Sequence, residues 1–191
     1  MRKLVVFNNI SLDGYFTDAK NDMSWAHSED AEWDAFTAEN AQGGGALVLG
    51  RITYELMIQF WPTPYAAEIA PVVAERMNAM PKFVFSHTLD KAAWNNTTLL
   101  RGNLASEINR LKQEPGDKLT ILGSGSLVSQ LTRERLIDEY QFVLTPVVLG
   151  QGRTMFDGAP ERLLLNRTHS RSFGNGNVLL CYEPEIPLKG A

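Results

Sequence analysis

Three junctions in this chain have the residue types to hold a phosphate, and each follows a short apolar run. The first is Gly123-Ser124-Gly125, after Leu119–Leu122 and before Leu127, Val128 and Leu131 at helical spacing. A strand, a glycine turn and a helix start in that order leave free N–H groups and a backbone that a ligand can approach closely. Ser126 and Leu127 continue the same turn. No Lys-Ser/Thr follows, so this is no P-loop, and Val128 stands where a Rossmann fingerprint has its third glycine. An ordinary strand-to-helix turn would carry the same three residues, so other features must decide.

The second junction lies in LVLGRITYE, residues 47–55, where Gly50-Arg51 and Thr53 follow an apolar run. An arginine fork and a hydroxyl beside a helix N-terminus suit an anion, and a surface ion pair is the competing use of Arg51. The third is Ser86-His87-Thr88, after Lys82–Phe85. Ligands of parallel sheets gather outside the carboxyl ends of the strands. Together the three would form one elongated site with several phosphate contacts, which suits a dinucleotide.

Other chemistries find little support. No G-x-S-x-G elbow surrounds Ser124 or Ser126, and His27, His87 and His169 are scattered. Cys181 is the only cysteine, which excludes an intramolecular disulfide and a cysteine zinc site and fits a reducing cytoplasm. Asp13 precedes Gly14 and reads as a turn residue rather than a base. The 191 residues carry a net charge of −4, against a nucleic-acid footprint. The start lacks the long apolar core of a signal peptide, and no stretch approaches a membrane span.

The elements that must position these residues follow from the pattern. Strands are expected at Leu4–Phe7, Ala46–Leu49, Lys82–Phe85, Thr97–Leu100 and Leu119–Leu122. Helices are expected from Ser28 as N-cap, with Glu29, Asp30 and Glu32 in its first turn, and at 53–60, within 64–80 and at 104–112. Residues 17–27 read as an exposed loop. Later come strand-like runs at Ile137–Leu149, Leu163–Phe173 and Val178–Tyr182, joined by Gly150-Gln151-Gly152 and Gly174-Asn175-Gly176 as hairpin turns. The reading is one α/β domain over residues 1–185 with a soft tail at 186–191. Its sheet is mixed, with a parallel centre and antiparallel C-terminal strands.

GRITYE is similar to the Gly-Arg-x-Thr-Trp/Tyr-Glu signature of the dihydrofolate reductase-like fold, and ILGSGSL to its second, glycine-rich cofactor loop. KLVVFNNISLDGYF and PVVLGQGRTMF resemble the branch that includes the reductase domain of bacterial riboflavin biosynthesis. The resemblance covers about residues 3–183 and implies helices on both faces of the sheet. It also implies NADPH as cofactor, held by Gly50, Arg51, Thr53 and Ser86-His87 at the adenosine ribose and its phosphate. Gly123, Ser124, Gly125, Ser126 and Leu127 would hold the pyrophosphate, and the backbone around Asn9 and Gly14 would face the nicotinamide. His87 stands where many relatives place arginine, which weakens the hold on a 2′-phosphate.

Within MSWAHSEDAEW, residues 23–33, Trp25 and Asp30 match the substrate loop and helix-borne acid of dihydrofolate reductase, with Ser24 replacing its proline. A partly desolvated Asp30 would accept a hydrogen bond from a heterocycle and assist its protonation. A first-turn helix acid and a core tryptophan are the alternative. The resemblance thus implies a homodimeric, NADPH-dependent reductase of a small pterin-, pyrimidine- or flavin-like substrate. The other readings are a nucleotide- or pteridine-binding protein without efficient reductase activity, and a reductase of the ribosylaminouracil phosphate of riboflavin biosynthesis. Arg153 is the late-loop candidate for that substrate's phosphate.

Overall fold

The computed structural model describes residues 1–27, 30–158 and 162–185. The expected N-cap Ser28, its neighbour Glu29 and the tail 186–191 lie outside the described residues. The first strand, β1 (Leu4–Ser11), runs four residues past its apolar start. Asn8 and Ser11 are buried inside it, because each finds a polar partner at the sheet's end. β2 (Tyr15–Asp18) and a short 3-10 turn at Ser24–Ala26 replace part of the expected loop. α1 (Ala31–Gln42) starts two residues later than Ser28 would set it, with Asp30 as N-cap.

β3 (Ala46–Gly50) leads directly into α2 (Arg51–Phe60), so Arg51 is the first helical residue rather than a residue ahead of the helix. The expected helix within 64–80 is two helices, α3 (Pro64–Ile69) and α4 (Pro71–Ala79). Pro71 forces the break, since its ring clashes with the turn before it while suiting a first helical position. β4 (Lys82–Phe85), β5 (Thr97–Leu100), α5 (Leu104–Gln113) and β6 (Leu119–Leu122) fall where the pattern sets them, and α6 (Gly125–Arg133) follows the glycine turn.

β7 (Glu139–Thr145) ends where Pro146 begins, because proline cannot donate to a ladder. β8 (Gly152–Thr154) does not fold back on β7 across Gly150-Gln151-Gly152, as a hairpin there would require. It pairs with β2 in a separate two-stranded ribbon. β9 (Leu165–Ser172) and β10 (Val178–Pro184) do form the hairpin over Gly174-Asn175-Gly176.

The main sheet has eight strands in the order β5-β4-β3-β6-β1-β7-β10-β9. From β5 to β7 every neighbouring pair is parallel, and β10 is antiparallel to both β7 and β9. Val6, Val48 and Ile121 face α5 and α6, meeting Ile108, Leu111, Val128 and Leu131. Leu47, Leu49 and Val84 face the other way, onto Tyr54 of α2 and Met77 of α4. Val143, Leu179 and Cys181 meet Trp33 of α1 on that second side. Each fully buried aliphatic side chain contributes about 1.5–3 kcal/mol. Helices thus cover both faces, and the loops at the carboxyl ends of β1, β3, β4 and β6 stay free to form a site. Among the described residues no helix is long and apolar enough to cross a membrane.

Candidate functional site

At the centre of the sheet, the turn after β6 is locked against the start of α2. Gly123 and Ser124 are both left-handed, at φ +55° and +54°. A Cβ on Gly123 would lie 2.9 Å from the Thr53 side chain, so only glycine fits there without displacement. The Ser124 N–H donates to Thr53 Oγ1 at 3.0 Å, and Gly50 N–H donates to Ser124 Oγ at 2.9 Å. Ser124 Oγ also lies 2.9 Å from the Leu122 carbonyl oxygen and 3.1 Å from Thr53 Oγ1. From the β1 side, Asn8 brackets Gly123: its Oδ1 accepts from the Gly123 N–H, and its Nδ2 donates to the Gly123 carbonyl at 3.2 Å.

This clamp brings together Gly50, Thr53 and Gly123–Gly125, the first and second of the expected phosphate junctions. It also assigns their hydroxyls: Thr53 and Ser124 bind each other and the turn. What the junction offers a ligand is its backbone, since neither α2 nor α6 is capped by a side chain. Ser126 is exposed, whereas the Leu127 side chain is in the core and its N–H donates to Ser124 O at 2.8 Å. Phe16 closes one side, because a Cβ on Gly125 would meet its ring at 2.7 Å. Arg153 of β8 stands over that ring, 5.8 Å from its centre.

The remaining expected contacts are more dispersed. Arg51 pairs with Glu55 at 2.9 Å, with both side chains about two-fifths exposed. Such a pair contributes at most a few tenths of a kcal/mol, so it can be released to an anion. Ser86 is buried, and its Oγ accepts from Thr88 N at 3.2 Å and Leu89 N at 2.9 Å, shaping the turn after β4. His87 is exposed, and its carbonyl accepts from Arg101 Nη1 at 3.0 Å. Arg101 follows β5 immediately, and its place after a fourth parallel strand was the signal available in the sequence.

Gly14, at φ +87°, has open space where a Cβ would stand, and Asn9 is half-buried with Oδ1 unpartnered. Between them, Asp13 does more than shape a turn. Its carboxylate accepts from Leu149 N at 3.1 Å, Gly150 N at 2.7 Å and Ser11 Oγ at 2.7 Å, tying the β1–β2 turn to the loop after β7. The Ser11 hydroxyl first, then those N–H groups, hold its carboxyl below the usual range.

Asp30 Oδ1 accepts from Trp33 N at 2.8 Å as the N-cap of α1. A Cβ on Gly174 would lie 3.5 Å from Oδ2, so the acid sits beside the β9–β10 turn, at the carboxyl end of β7. Trp25 is half-buried and gives its indole N–H to Asp22 O at 3.1 Å, rather than to Asp30. Among the described residues no three His, Cys, Asp or Glu side chains cluster as a metal site.

The model of the RibD C-terminal domain family matches residues 2–179. The chain belongs to that family. Two relatives from Bacillus subtilis (strain 168) are similar over nearly their whole length. YyaP is 24% identical over 181 residues, 95% of this chain and 94% of its own. YwjB is 28% identical over 174 residues, 91% and 93%.

Among solved structures, a riboflavin biosynthesis protein from Shewanella sp. PV-4, so described by its crystal structure, matches with a TM-score of 0.73 at 23% identity. It covers 96% of this chain and 99% of that one. Dihydrofolate reductase from Enterococcus faecalis, complexed with NADP(H), matches at 0.63 with 13% identity, covering 96% of this chain and 97% of that one. A deaminase/reductase from Thermotoga maritima matches at 0.67 with 14% identity over 56% of its own length. These likenesses give the RibD C-terminal domain family member a dihydrofolate reductase-like fold.

Proposed function

We propose that this chain is an NADPH-dependent reductase that transfers hydride to a small conjugated heterocycle of pterin-, pyrimidine- or flavin-like type. One observation carries the reading: the clamp of Thr53 and Ser124 joins two uncapped helix N-termini at the carboxyl edge of a parallel sheet. That arrangement fits a pyrophosphate, because oriented N–H groups and two helix dipoles meet there with no acid in the first turn of either helix. Gly50, Gly123, Gly125 and Ser126 would hold it through the backbone, with Arg51 released from Glu55. Ser86 and His87 would border the adenosine ribose, and the strand end at Asn9 and Gly14 would border the nicotinamide. When bound, the cofactor supplies hydride.

The chain's own residues supply orientation and a proton. Asp30 keeps one carboxylate oxygen on the Trp33 N–H and has the other to meet a ring N–H. Titration of purified protein with NADPH and NADH, followed by nicotinamide fluorescence, tests the reading. Micromolar NADPH binding, tighter than NADH, is expected, and no binding of either removes the reductase.

A narrower reading, reduction of a ribosylaminouracil phosphate, is favoured by the likeness to the Thermotoga protein, a deaminase and 5-amino-6-(5-phosphoribosylamino)uracil reductase. Its substrate phosphate would need Arg153, exposed on β8 near Gly125. Arg153→Ala should then weaken a phosphorylated substrate and leave its dephosphorylated analogue unchanged. A homodimer is also proposed. β9 is the last strand of the sheet, eight residues long, with all but Leu165 and Arg171 exposed, and natural edges of that length are usually covered. Light scattering at the monomer mass would reject it.

A further inference from the structure

At the amino end of β4, a charged side chain lies wholly inside the protein. Lys82 is 0% exposed, and burying a charge is costly unless its partners replace water. Its ammonium donates to the carbonyl oxygens of Met80 at 2.8 Å, Asn95 at 3.1 Å and Asn78 at 3.2 Å. It also stands 4.3 Å from the centre of the Trp94 ring. Burial pushes the amine down to about 8, so it is still an ammonium at neutral pH. An ammonium has three donors and no acceptor, and a ring face attracts a cation, so these partners meet all that it presents. Asn78 lies in the last turn of α4 and Met80 is its C-cap, where carbonyls lack helical partners and a cation suits the dipole.

The same residues strap α2 at both ends. Asn78 Nδ2 donates at 2.9 Å to the carbonyl of Trp61, the C-cap of α2, and Asn78 Oδ1 accepts from the Trp94 indole N–H at 2.7 Å. Towards the other end, the buried Tyr54 hydroxyl accepts from Ala93 N at 2.9 Å and Trp94 N at 3.0 Å. Tyr54 follows Thr53, whose Oγ1 holds the Ser124 N–H. The contacts therefore run from the ammonium through Trp94 and Asn78 to α2, and along α2 to the clamp.

We propose that the end of α4 and the loop before β5 form a binding site for a primary ammonium group, filled here by Lys82, which thereby positions α2 in the cofactor clamp. The positioning role rests on the reductase reading above. The ammonium draws Asn78, Asn95 and Trp94 to one point. Asn78 and Trp94 then fix Trp61 and Tyr54, and with them the angle at which α2 presents Gly50, Arg51 and Thr53 to the β6–α6 turn. Lys82 acts from the far end of β4, opposite Ser86, and touches none of these clamp residues.

The test is chemical rescue of the full chain at neutral pH. Lys82→Ala removes the ammonium and the methylenes beyond Cβ, which n-propylammonium replaces atom for atom. Thermal melts and NADPH titrations followed by nicotinamide fluorescence are the readouts. The variant should melt at least about 5 °C below wild type. At a temperature where it is folded, it should bind NADPH at least about threefold more weakly. n-Propylammonium should restore both, with Tm rising as its concentration rises, whereas n-propanol should restore neither. Wild type, its site filled, should gain from neither compound. Lys82→Met fills the space without donors; it should show both losses without rescue, and it carries the test should the alanine variant fail to fold. Wild-type Tm in Lys82→Met, equal rescue by n-propanol, or an equal gain in wild type overturns the ammonium site. Lower Tm with NADPH affinity unchanged in both variants overturns the positioning role. Wild type that binds no NADPH removes the reductase reading, and the melts still decide the ammonium site.

Discussion

At the level of single residues, the acid Asp30 carries two jobs that a substitution can separate. It caps α1 through Trp33 N and offers its second oxygen beside Gly174. Asparagine caps a helix about as well as aspartate, so Asp30→Asn should leave Tm within a degree or so, whereas Asp30→Ala should cost about 1 kcal/mol. If the carboxylate assists protonation, Asp30→Asn should lower turnover at least about tenfold with NADPH affinity unchanged. Steady-state kinetics beside a nicotinamide titration read both quantities. Unchanged turnover would leave Asp30 as a cap and nothing more.

Between elements, the decisive contact is the one joining α2 to the β6–α6 turn. Thr53→Val removes the acceptor of the Ser124 N–H and a neighbour of its hydroxyl. Leaving those groups unpaired should cost about 1–3 kcal/mol. Because the turn also presents the uncapped N-terminus of α6, NADPH affinity should fall with stability, and affinity that holds would place the cofactor elsewhere. The short apolar strands and their glycines made this junction legible in the sequence, since Leu119–Leu122, Gly123 and the helical spacing of Leu127, Val128 and Leu131 are all local. The contacts that hold it were not legible. Asn8 reaches Gly123 across 115 residues, and Asp13 reaches Leu149 across 136. No local pattern announces pairs so far apart. The same blindness cut β1 short at Phe7, because Asn8 and Ser11 look like the end of a strand until their distant partners are known. It also made Gly150-Gln151-Gly152 read as a hairpin turn, where the chain instead enters β8 and pairs with β2. Asp30 as N-cap, in place of Ser28, shows the smaller error of two good capping residues close together.

For the whole molecule, alkaline stability should report on a single buried phenol. Tyr140 is 1% exposed at the sheet's centre, stacked near Phe142 and Phe156, and its hydroxyl meets Thr132 Oγ1 at 3.0 Å. Burial pushes its hydroxyl up to about 12, with the Thr132 hydrogen bond opposing. The folded state therefore resists an ionisation that the unfolded chain undergoes near the ordinary value of 10. A group raised in this way contributes stability that is fully present below pH 10 and is lost as pH climbs toward 12. Tyr140→Phe keeps the ring and removes the titration. At neutral pH it should cost about 0.5–1.5 kcal/mol for the lost hydrogen bond. Denaturant midpoints measured at steps from neutral pH to 12 should then converge, with wild type falling faster above pH 10. Parallel curves across that window would mean that Tyr140 ionises as easily in the folded chain as in the unfolded one. The centre of the sheet would then admit water that its packing, as described, excludes.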